Sequence, residues 1–226
     1  MPQHPTIAIL GGTGQQGRGL ALRWTHAGHR VVIGSRSRVR ASETAAAINA
    51  RIKAERAAGA DNLAAAESGE IVVLTVPYAA QLSTLAAVKA ALAGKILIDV
   101  TVPLVPPRVG RVHLPEGGSA AVKAQALLGE SVRVVSAFQN VSAELLQERD
   151  RAVDCDVLVC GDDRQARTQV IALANVAGMR AFHAGPLANS AAAEALTSVL
   201  ITLNRQFKIA HSGIRITGLP AEADHV

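Results

Sequence analysis

The residues with the clearest chemical meaning are Gly11-Gly12-Thr13-Gly14-Gln15-Gln16-Gly17, in which Gly12, Gly14 and Gly17 stand at GxGxxG spacing. An apolar run at 7–10 precedes them and a segment of helical period follows, the strand-turn-helix context in which this spacing binds a dinucleotide. The first glycine permits a tight turn, the second lets backbone amides approach a diphosphate, and the third lets helix and strand pack closely. The phosphates then sit on the positive end of the helix, beside Thr13, Gln15 and Gln16. Gly11, Gly14 and Gly17 also match the GxxGxxG spacing of reductases that protonate a carbonyl through a Tyr-x-x-x-Lys pair. Here Tyr78, the sole tyrosine, is followed four residues later by Leu82 rather than lysine, so that pair is absent.

A second apolar run ends in Gly34-Ser35-Arg36. A ribose with a free 2′-hydroxyl normally meets an Asp or Glu at this point. A hydroxyl, a guanidinium and the further cations Arg38 and Arg40 suit a 2′-phosphate instead, so the sequence predicts NADP(H) over NAD(H). A start to a solvated helix accounts equally well for Arg38. At Thr75-Val76-Pro77-Tyr78 a proline ends a strand, and Val76, Pro77 and Tyr78 offer an apolar wall suited to a nicotinamide, although Tyr78 also reads as an aromatic packed at a helix start. Asp99, at another strand end, reads as a cap or brace for the following loop, with an acid role as the alternative. The seven histidines show no ligand spacing, and no metal is expected. Cys155 and Cys160 fall on opposite faces of one strand, where they read as buried apolar residues of a reduced, cytoplasmic protein.

The elements that must position these groups form a βα rhythm. Apolar runs recur at 7–10, 31–33, 71–76, 96–100, 132–137 and 157–160, unbroken by polar residues as in strands buried on both faces. Ala-rich segments at 16–26, 40–58, 80–93, 120–128 and 164–177 read as helices, with Gly28, Gly59, Gly94, Gly129 and Gly178 at their ends. Residues 101–118, with four prolines, read as a functional loop leaving the carboxyl end of a strand. A short strand at 180–183 and a last helix from 190 to 211 follow. The expectation is an α/β fold: a Rossmann-type doubly wound parallel sheet over 1–143, and a small C-terminal α/β domain over 144–226 that closes the substrate pocket.

Bulk properties narrow the rest. With 49% apolar residues but 2% aromatic, the interior is built from Ala, Val, Leu and Ile, as a βα layer fold allows. The net charge of +5 suits anionic small molecules. The cations are scattered without interleaved aromatics, which argues against nucleic acid. The N-terminus carries no export pattern, and apolar runs end well short of the ~20 residues a membrane helix needs. The final helix, 191–207, is apolar on enough faces to suggest a homodimer contact.

Taken in order, these landmarks resemble the F420-dependent NADP reductases, also called F420H2:NADP+ oxidoreductases, over nearly the whole chain. The matching segments are 11–17, Gly34-Ser35-Arg36 with Arg40, 74–78, Pro103-Leu104-Val105-Pro106, Val135-Ser136-Ala137, Cys160-Gly161-Asp162-Asp163, and Gly185-Pro186-Leu187 with Asn189-Ser190. The resemblance implies that Thr13, Gly14, Gln15 and Gln16 hold the pyrophosphate, that Ser35, Arg36 and Arg40 hold the 2′-phosphate, and that Tyr78, Leu82 and Ala143 hold further parts of the dinucleotide. It implies a deazaflavin opposite, on Gln139, Val141, Leu187 and Ser190. The chain departs from the family at Gln139, where relatives carry histidine, and across Asn140-Val141-Ser142. Hydride passage between stacked rings needs alignment and dryness more than a protein acid, so no catalytic side chain is expected. Arg108, Arg111 and Lys123 are candidates for the anionic tail of coenzyme F420. The alternatives are an NADPH-dependent reductase of another acceptor, such as an imine or carbonyl, and a non-catalytic NADP(H) sensor.

Overall fold

Unbroken Val, Ile and Leu give strands that tolerate burial on both faces, and each such run of the sequence becomes one. The computed structural model describes residues 4–149 and 151–219. In chain order these hold β1 (Ile7–Leu10), α1 (Gln15–His26), β2 (Val31–Ser35), α2 (Arg38–Ile52), β3 (Ala57–Asp61), α3 (Asn62–Ser68), β4 (Ile71–Leu74), α4 (Gln81–Val88), β5 (Ile96–Asp99), α5 (Ala120–Leu128), β6 (Arg133–Ser136), α6 (Ala143–Gln147), β7 (Asp156–Gly161), α7 (Arg164–Val176), β8 (Arg180–His183) and α8 (Ser190–Phe207). Short 3-10 turns occupy Tyr78–Ala80, Lys89–Leu92 and Leu187–Asn189, so the helix predicted at 80–93 is shorter and flanked by tighter turns.

The strands form one sheet in the order β3-β2-β1-β4-β5-β6-β7-β8. Its first six strands are parallel and follow the order of a dinucleotide-binding fold, with the topological switch between β1 and β4. Two differences from the sequence reading have physical causes. β7 runs antiparallel to β6, so the sheet is not parallel throughout: an apolar run carries no direction. The helix predicted at 40–58 stops at Ile52, where Lys53 turns left-handed at φ 55°, and 57–61 form an edge strand instead. Gly59 therefore ends no helix. It sits within β3, where a Cβ would stand 2.2 Å from the Ser42 amide, so its bare α-carbon lets α2 close onto the strand. The last helix ends at Phe207, four residues before its predicted end.

Alternation along the strands divides the core in two. Ile7, Ile9, Trp24, Phe138 and Val141 share one cluster, whereas Ala8, Leu10, Leu74, Ala121 and Leu187 share the other, on the opposite face of the sheet. The sheet and its packing run through the predicted boundary near Ala143. Arg23 of α1 is buried and donates to the carbonyls of Leu145, Leu146, Glu148, Arg151 and Ala177. A buried guanidinium is costly unless such acceptors surround it, so this fan ties the first half to the second. Cys155 and Cys160 are buried and unpaired. No helix among the described residues is long and apolar enough to cross a membrane.

Candidate active site

The glycine turn leaves β1 at the switch point, and three of its glycines are explained by protein packing. Gly11 adopts φ +73°, and a Cβ there would meet Val76 Cγ1 at 2.6 Å. Gly12 would strike the Ile9 carbonyl at 2.8 Å, and Gly17 the Gly12 α-carbon at 2.7 Å. Gly14 differs. It has extended backbone (φ −75°, ψ 165°), and its hypothetical Cβ meets only the Gly11 carbonyl, at 3.5 Å. No protein atom requires a glycine there. Gly14 is also the N-cap of α1, whose start has neither a capping side chain nor an acidic residue in its first turn. The leading amides of that helix thus face outward for an anion.

Across β2, Ser35 is buried and accepts from the Ser37 amide (3.2 Å), while Ser37 caps α2 through the Arg40 amide (3.4 Å). Arg36, Arg38 and Arg40 are exposed, and no ion pair engages them among the described residues. The neighbouring acid, Asp61, lies in register with Ser35, but its carboxylate accepts from the Ala64 amide at 2.9 Å to cap α3. The tip of β2 is therefore cationic. Val76, Pro77 and Tyr78 follow β4 beside this turn: the Thr75 amide and hydroxyl both donate to the Leu10 carbonyl, and Tyr78 opens a 3-10 turn with Pro77 as its cap. Leu82, one turn further on α4, is 38% exposed.

The turn after β6 packs directly on this motif. Gln16 donates through Nε2 to the Phe138 carbonyl (3.2 Å), and Gln147 of α6 donates to the Gln15 carbonyl (2.8 Å), which brings Ala143 to the same flank of α1. Phe138 has φ +71°, a conformation that costs a bulky residue on the order of 1–3 kcal/mol and that often marks functional turns. Its ring is buried edge-to-face against Trp24, which holds the turn in place. Gln139 is 5% exposed; its Nε2 donates to the Asp99 carbonyl and to Ser136 Oγ, both at 2.8 Å, and its Oε1 is left without a partner. Gln81 Oε1, Thr101 Oγ1 and the adjacent Asn140 Oδ1 are likewise buried without partners among the described residues, so two of the four such oxygens lie in this turn.

The predicted acceptor residues are only partly brought together. Gln139 and Ser190 both meet α8 but about two turns apart: Thr197 donates to the Gln139 carbonyl (2.9 Å), and Ser190, at the head of the helix, donates to Ser119 at the start of α5 (2.7 Å). Val141 and Leu187 belong to clusters on opposite faces of the sheet, and Leu187 lines a cavity with Val122, Gln125 and Asp162 rather than facing Gln139.

Two carboxyl groups complete the frame. Asp99 is fully buried, accepting from the Thr101 amide and from Gln81 Nε2, so it braces the start of the proline-rich loop as the first of its two readings holds. Burial pushes its carboxyl above the usual range. Glu194 of α8 accepts from the Ala120 and Ala121 amides (2.7 and 3.1 Å) and so caps α5 from across the structure. Burial pushes its pKa up to about 8, with the charge of Asp99 adding to the effect and the two amides opposing it. Nothing in the sequence singled out Glu194, which sits in an Ala-rich helix with no flanking motif. No group of three or more His, Cys, Asp or Glu residues that could hold a metal occurs among the described residues.

Comparison with known proteins bears on the whole chain. The family described as NADP oxidoreductase, coenzyme F420-dependent, matches residues 6–103. The F420-dependent NADP reductase of Methanocaldococcus jannaschii is 45% identical over 222 residues, covering 94% of this chain and 98% of that protein. That of Methanothermobacter marburgensis is 42% identical over 221 residues, covering 95% and 99%. Among solved structures, a putative F420-dependent NADP-reductase from Arthrobacter sp. FB24 superposes with a TM-score of 0.76 at 28% identity, covering 93% of this chain and 98% of that one. With identity at this level along almost the full length of both sequences, the chain belongs to the F420-dependent NADP reductase family.

Proposed function

We propose that this protein transfers a hydride between NADP(H) and the deazaflavin F420, with the dinucleotide across the β1–β4 switch point and the deazaflavin beside the 136–141 turn. The observation that carries the reading is the direct bonding of the glycine motif to the segments that follow β6, through Gln16 to the Phe138 carbonyl in the turn and Gln147 of α6 to the Gln15 carbonyl. Two ligand sites braced by one set of hydrogen bonds suit a reaction whose main demand is alignment of two rings. In the net reaction NADPH gives a hydride to the deazaflavin carbon and the solvent supplies the proton, yielding NADP+ and reduced F420.

The residues present fit both ligands. The outward amides of α1, bared by Gly14, suit the pyrophosphate; Ser35, Arg36 and Arg40 suit the 2′-phosphate. Val76, Pro77, Tyr78 and Leu82 offer an apolar wall that excludes water, with Ala143 on the flank of α1. On the acceptor side, Gln139 presents a free amide oxygen, and Ser190 lies at the head of α8, while Val141 and Leu187 support the site from the two cores. The segment 144–226 then acts as the part that closes the acceptor side, with Glu194 fixing α8 to α5.

The test is reduction of F420 by NADPH, followed by loss of the deazaflavin absorbance. Turnover with NADPH and far weaker turnover with NADH is the expected result. No bleaching at stoichiometric enzyme overturns the reading, and tight NADPH binding without turnover of any acceptor points to a sensor instead. We also propose a homodimer through α8, supported by the exposure of Val199 (44%) and Phe207 (61%), with Ile209 beyond it. A monomer mass in sedimentation equilibrium overturns that part. Two unpaired buried thiols are consistent with residence in a reducing cytoplasm.

A further inference from the structure

Two carboxyl groups lie buried behind the 136–141 turn without a cation to answer them. Asp99 is fully buried and Glu194 is 1% exposed, and no ion pair engages either among the described residues. They are joined through the start of α5. The Ala120 amide donates to Glu194 Oε2 (2.7 Å), the Ala120 carbonyl accepts from Gln81 Nε2 (2.9 Å), and the same nitrogen donates to Asp99 Oδ2. The Asp99 carbonyl in turn accepts from Gln139 Nε2 (2.8 Å), and the Gln139 carbonyl accepts from Thr197 (2.9 Å). Thr197 follows Glu194 by one turn on the same face of α8. The bonds therefore close into a ring, from Glu194 through α5, α4, β5 and the 136–141 turn and back to α8.

The weak point of such a ring is its charge. Two carboxylates close together in a dry interior do not both ionise as lone acids do, because each charge raises the cost of the other. Burial pushes Glu194 up to about 8, with Asp99 adding to the effect, and pushes Asp99 above the usual range. The other groups around the pair do not offset it. Cys160 of β7 is a neutral thiol, pushed up to about 11 by burial, and the 3-10 turn at 187–189 has no titratable residue. Lys123 of α5 is half-buried, whereas Arg205 of α8 is exposed, as are Arg111 and His113 of the loop that Ser198 and Thr202 hold. Beside Asp99, β4 has no charged residue and β6 has only Arg133, in register with Ile96 at the far end of β5. Near neutral pH the pair thus keeps at least one proton.

We propose that Glu194 is a positioning residue for the acceptor: with a proton on the carboxyl pair the ring stays closed and holds the 136–141 turn for the second ligand, and with both carboxyls charged their repulsion opens it. This rests on the reading that the acceptor lies beside that turn. The phosphate seats at α1 and at the tip of β2 lie outside the ring, so nucleotide affinity should not follow the same pH profile. Trp24, the sole tryptophan, packs edge-to-face on Phe138 at 5.9 Å, next to Gln139 in the chain. Its emission therefore reports on the turn with no ligand bound.

The experiment compares the parent with Glu194→Gln and Glu194→Ala between about pH 7 and about pH 9, through the KM for F420 at saturating NADPH and through Trp24 emission of the ligand-free proteins. If only the protonated pair binds, a group titrating at about 8 raises the KM of the parent about tenfold over that interval. Glu194→Gln keeps an oxygen for an α5 amide but no charge, so its KM should stay flat, within about threefold of the parent at the acid end. Glu194→Ala should raise the KM about tenfold at every pH, with the KM for NADPH held within about twofold. Trp24 emission should shift with a midpoint near 8 in the parent and stay unchanged in Glu194→Gln. Ionisations of F420 and NADPH are common to all three proteins, so the ratio of the profiles is what is read. Parallel KM profiles in the parent and Glu194→Gln overturn the proposal, as does an equal rise in the KM for NADPH. Emission that shifts alike in both proteins, or in neither, overturns it too. Should Glu194→Ala fail to fold, Glu194→Gln decides alone. If the parent reduces no F420 at any pH, the functional reading fails, and the emission profiles still decide whether Glu194 governs the turn.

Discussion

Gly14→Ala separates a glycine kept for a ligand from one kept for packing. The backbone at Gly14 is extended and open to any L-residue, and the new methyl would meet one protein atom, the Gly11 carbonyl, at an ordinary 3.5 Å. The lost freedom of glycine in the unfolded chain and the weaker N-cap oppose each other, so stability should stay within about 1 kcal/mol of the parent. Ligand binding should not. A methyl over the first turn of α1 displaces a phosphate from one of its amides, and a hydrogen bond to a charged group contributes about 1.5–3 kcal/mol. The Kd for NADPH should therefore rise by about ten- to a hundredfold. Gly17→Ala is the control, because its methyl would lie 2.7 Å from both the Gly12 α-carbon and Thr75 Oγ1. That overpacking should lower stability by about 1–3 kcal/mol. Calorimetric titration with NADPH and urea unfolding read the two effects. If Gly14→Ala binds NADPH as the parent does, or unfolds as early as Gly17→Ala, the glycine turn does not seat a diphosphate.

Arg36→Asp places a carboxylate where a 2′-phosphate is expected. The ratio of kcat/KM for NADPH over NADH should drop by at least about tenfold, and an unchanged ratio would show that the tip of β2 does not read that phosphate. Glu194 has its pKa raised from 4.5 to about 8 in the folded state, so its protonated form is the one the fold favours. Its contribution is then fully present below about 4.5 and is lost as pH rises through about 8. Urea unfolding of the parent should weaken by up to about 1.4 kcal/mol per pH unit from this group between those values, and Glu194→Gln should flatten the curve; parallel curves would count against the buried ionisation. Arg23→Met keeps the bulk of the side chain but strips donors from five carbonyls, and should cost more than about 3 kcal/mol in the same assay.

How much of this could be read from residues alone depended on whether a feature was local. The strands β1, β2, β4, β5 and β6 announced themselves as apolar runs, and α5 and β8 matched their predicted bounds. β3 was missed because Ala57-Ala58-Gly59-Ala60 has no β-branched or aromatic residue, and its partly exposed edge position asks for none. Alanine favours helix in isolation, so the tertiary pairing of Val31 to Ala57 and Gly34 to Ala60 overrode the local preference. The reversed direction of β7 was equally silent, since Val157 and Val159 satisfy a parallel or an antiparallel neighbour alike.

The same rule divides the two halves of the site. The proposed nucleotide half draws on contiguous stretches, 11–17 and 34–40, whose residue types and spacing can be read along the chain. The proposed acceptor half centres on the turn at 136–141, which meets α8 only after folding, as does the loop at 105–114, through Thr197, Ser198 and Thr202. Phe138 at φ +71° shows why motif reading stops there: phenylalanine carries no signal for a left-handed turn, and the conformation is held by Trp24 and Gln16, more than a hundred residues away in the chain. Glu194 is the sharper case, because an acid in an Ala-rich helix reads as solvated surface until α5 is seen to end its amides on it. Residues that shape an acceptor pocket in this way can vary without disturbing the glycine turn. Change of acceptor should accordingly be easier to achieve in this fold through the loop and α8 than change of nucleotide through β1.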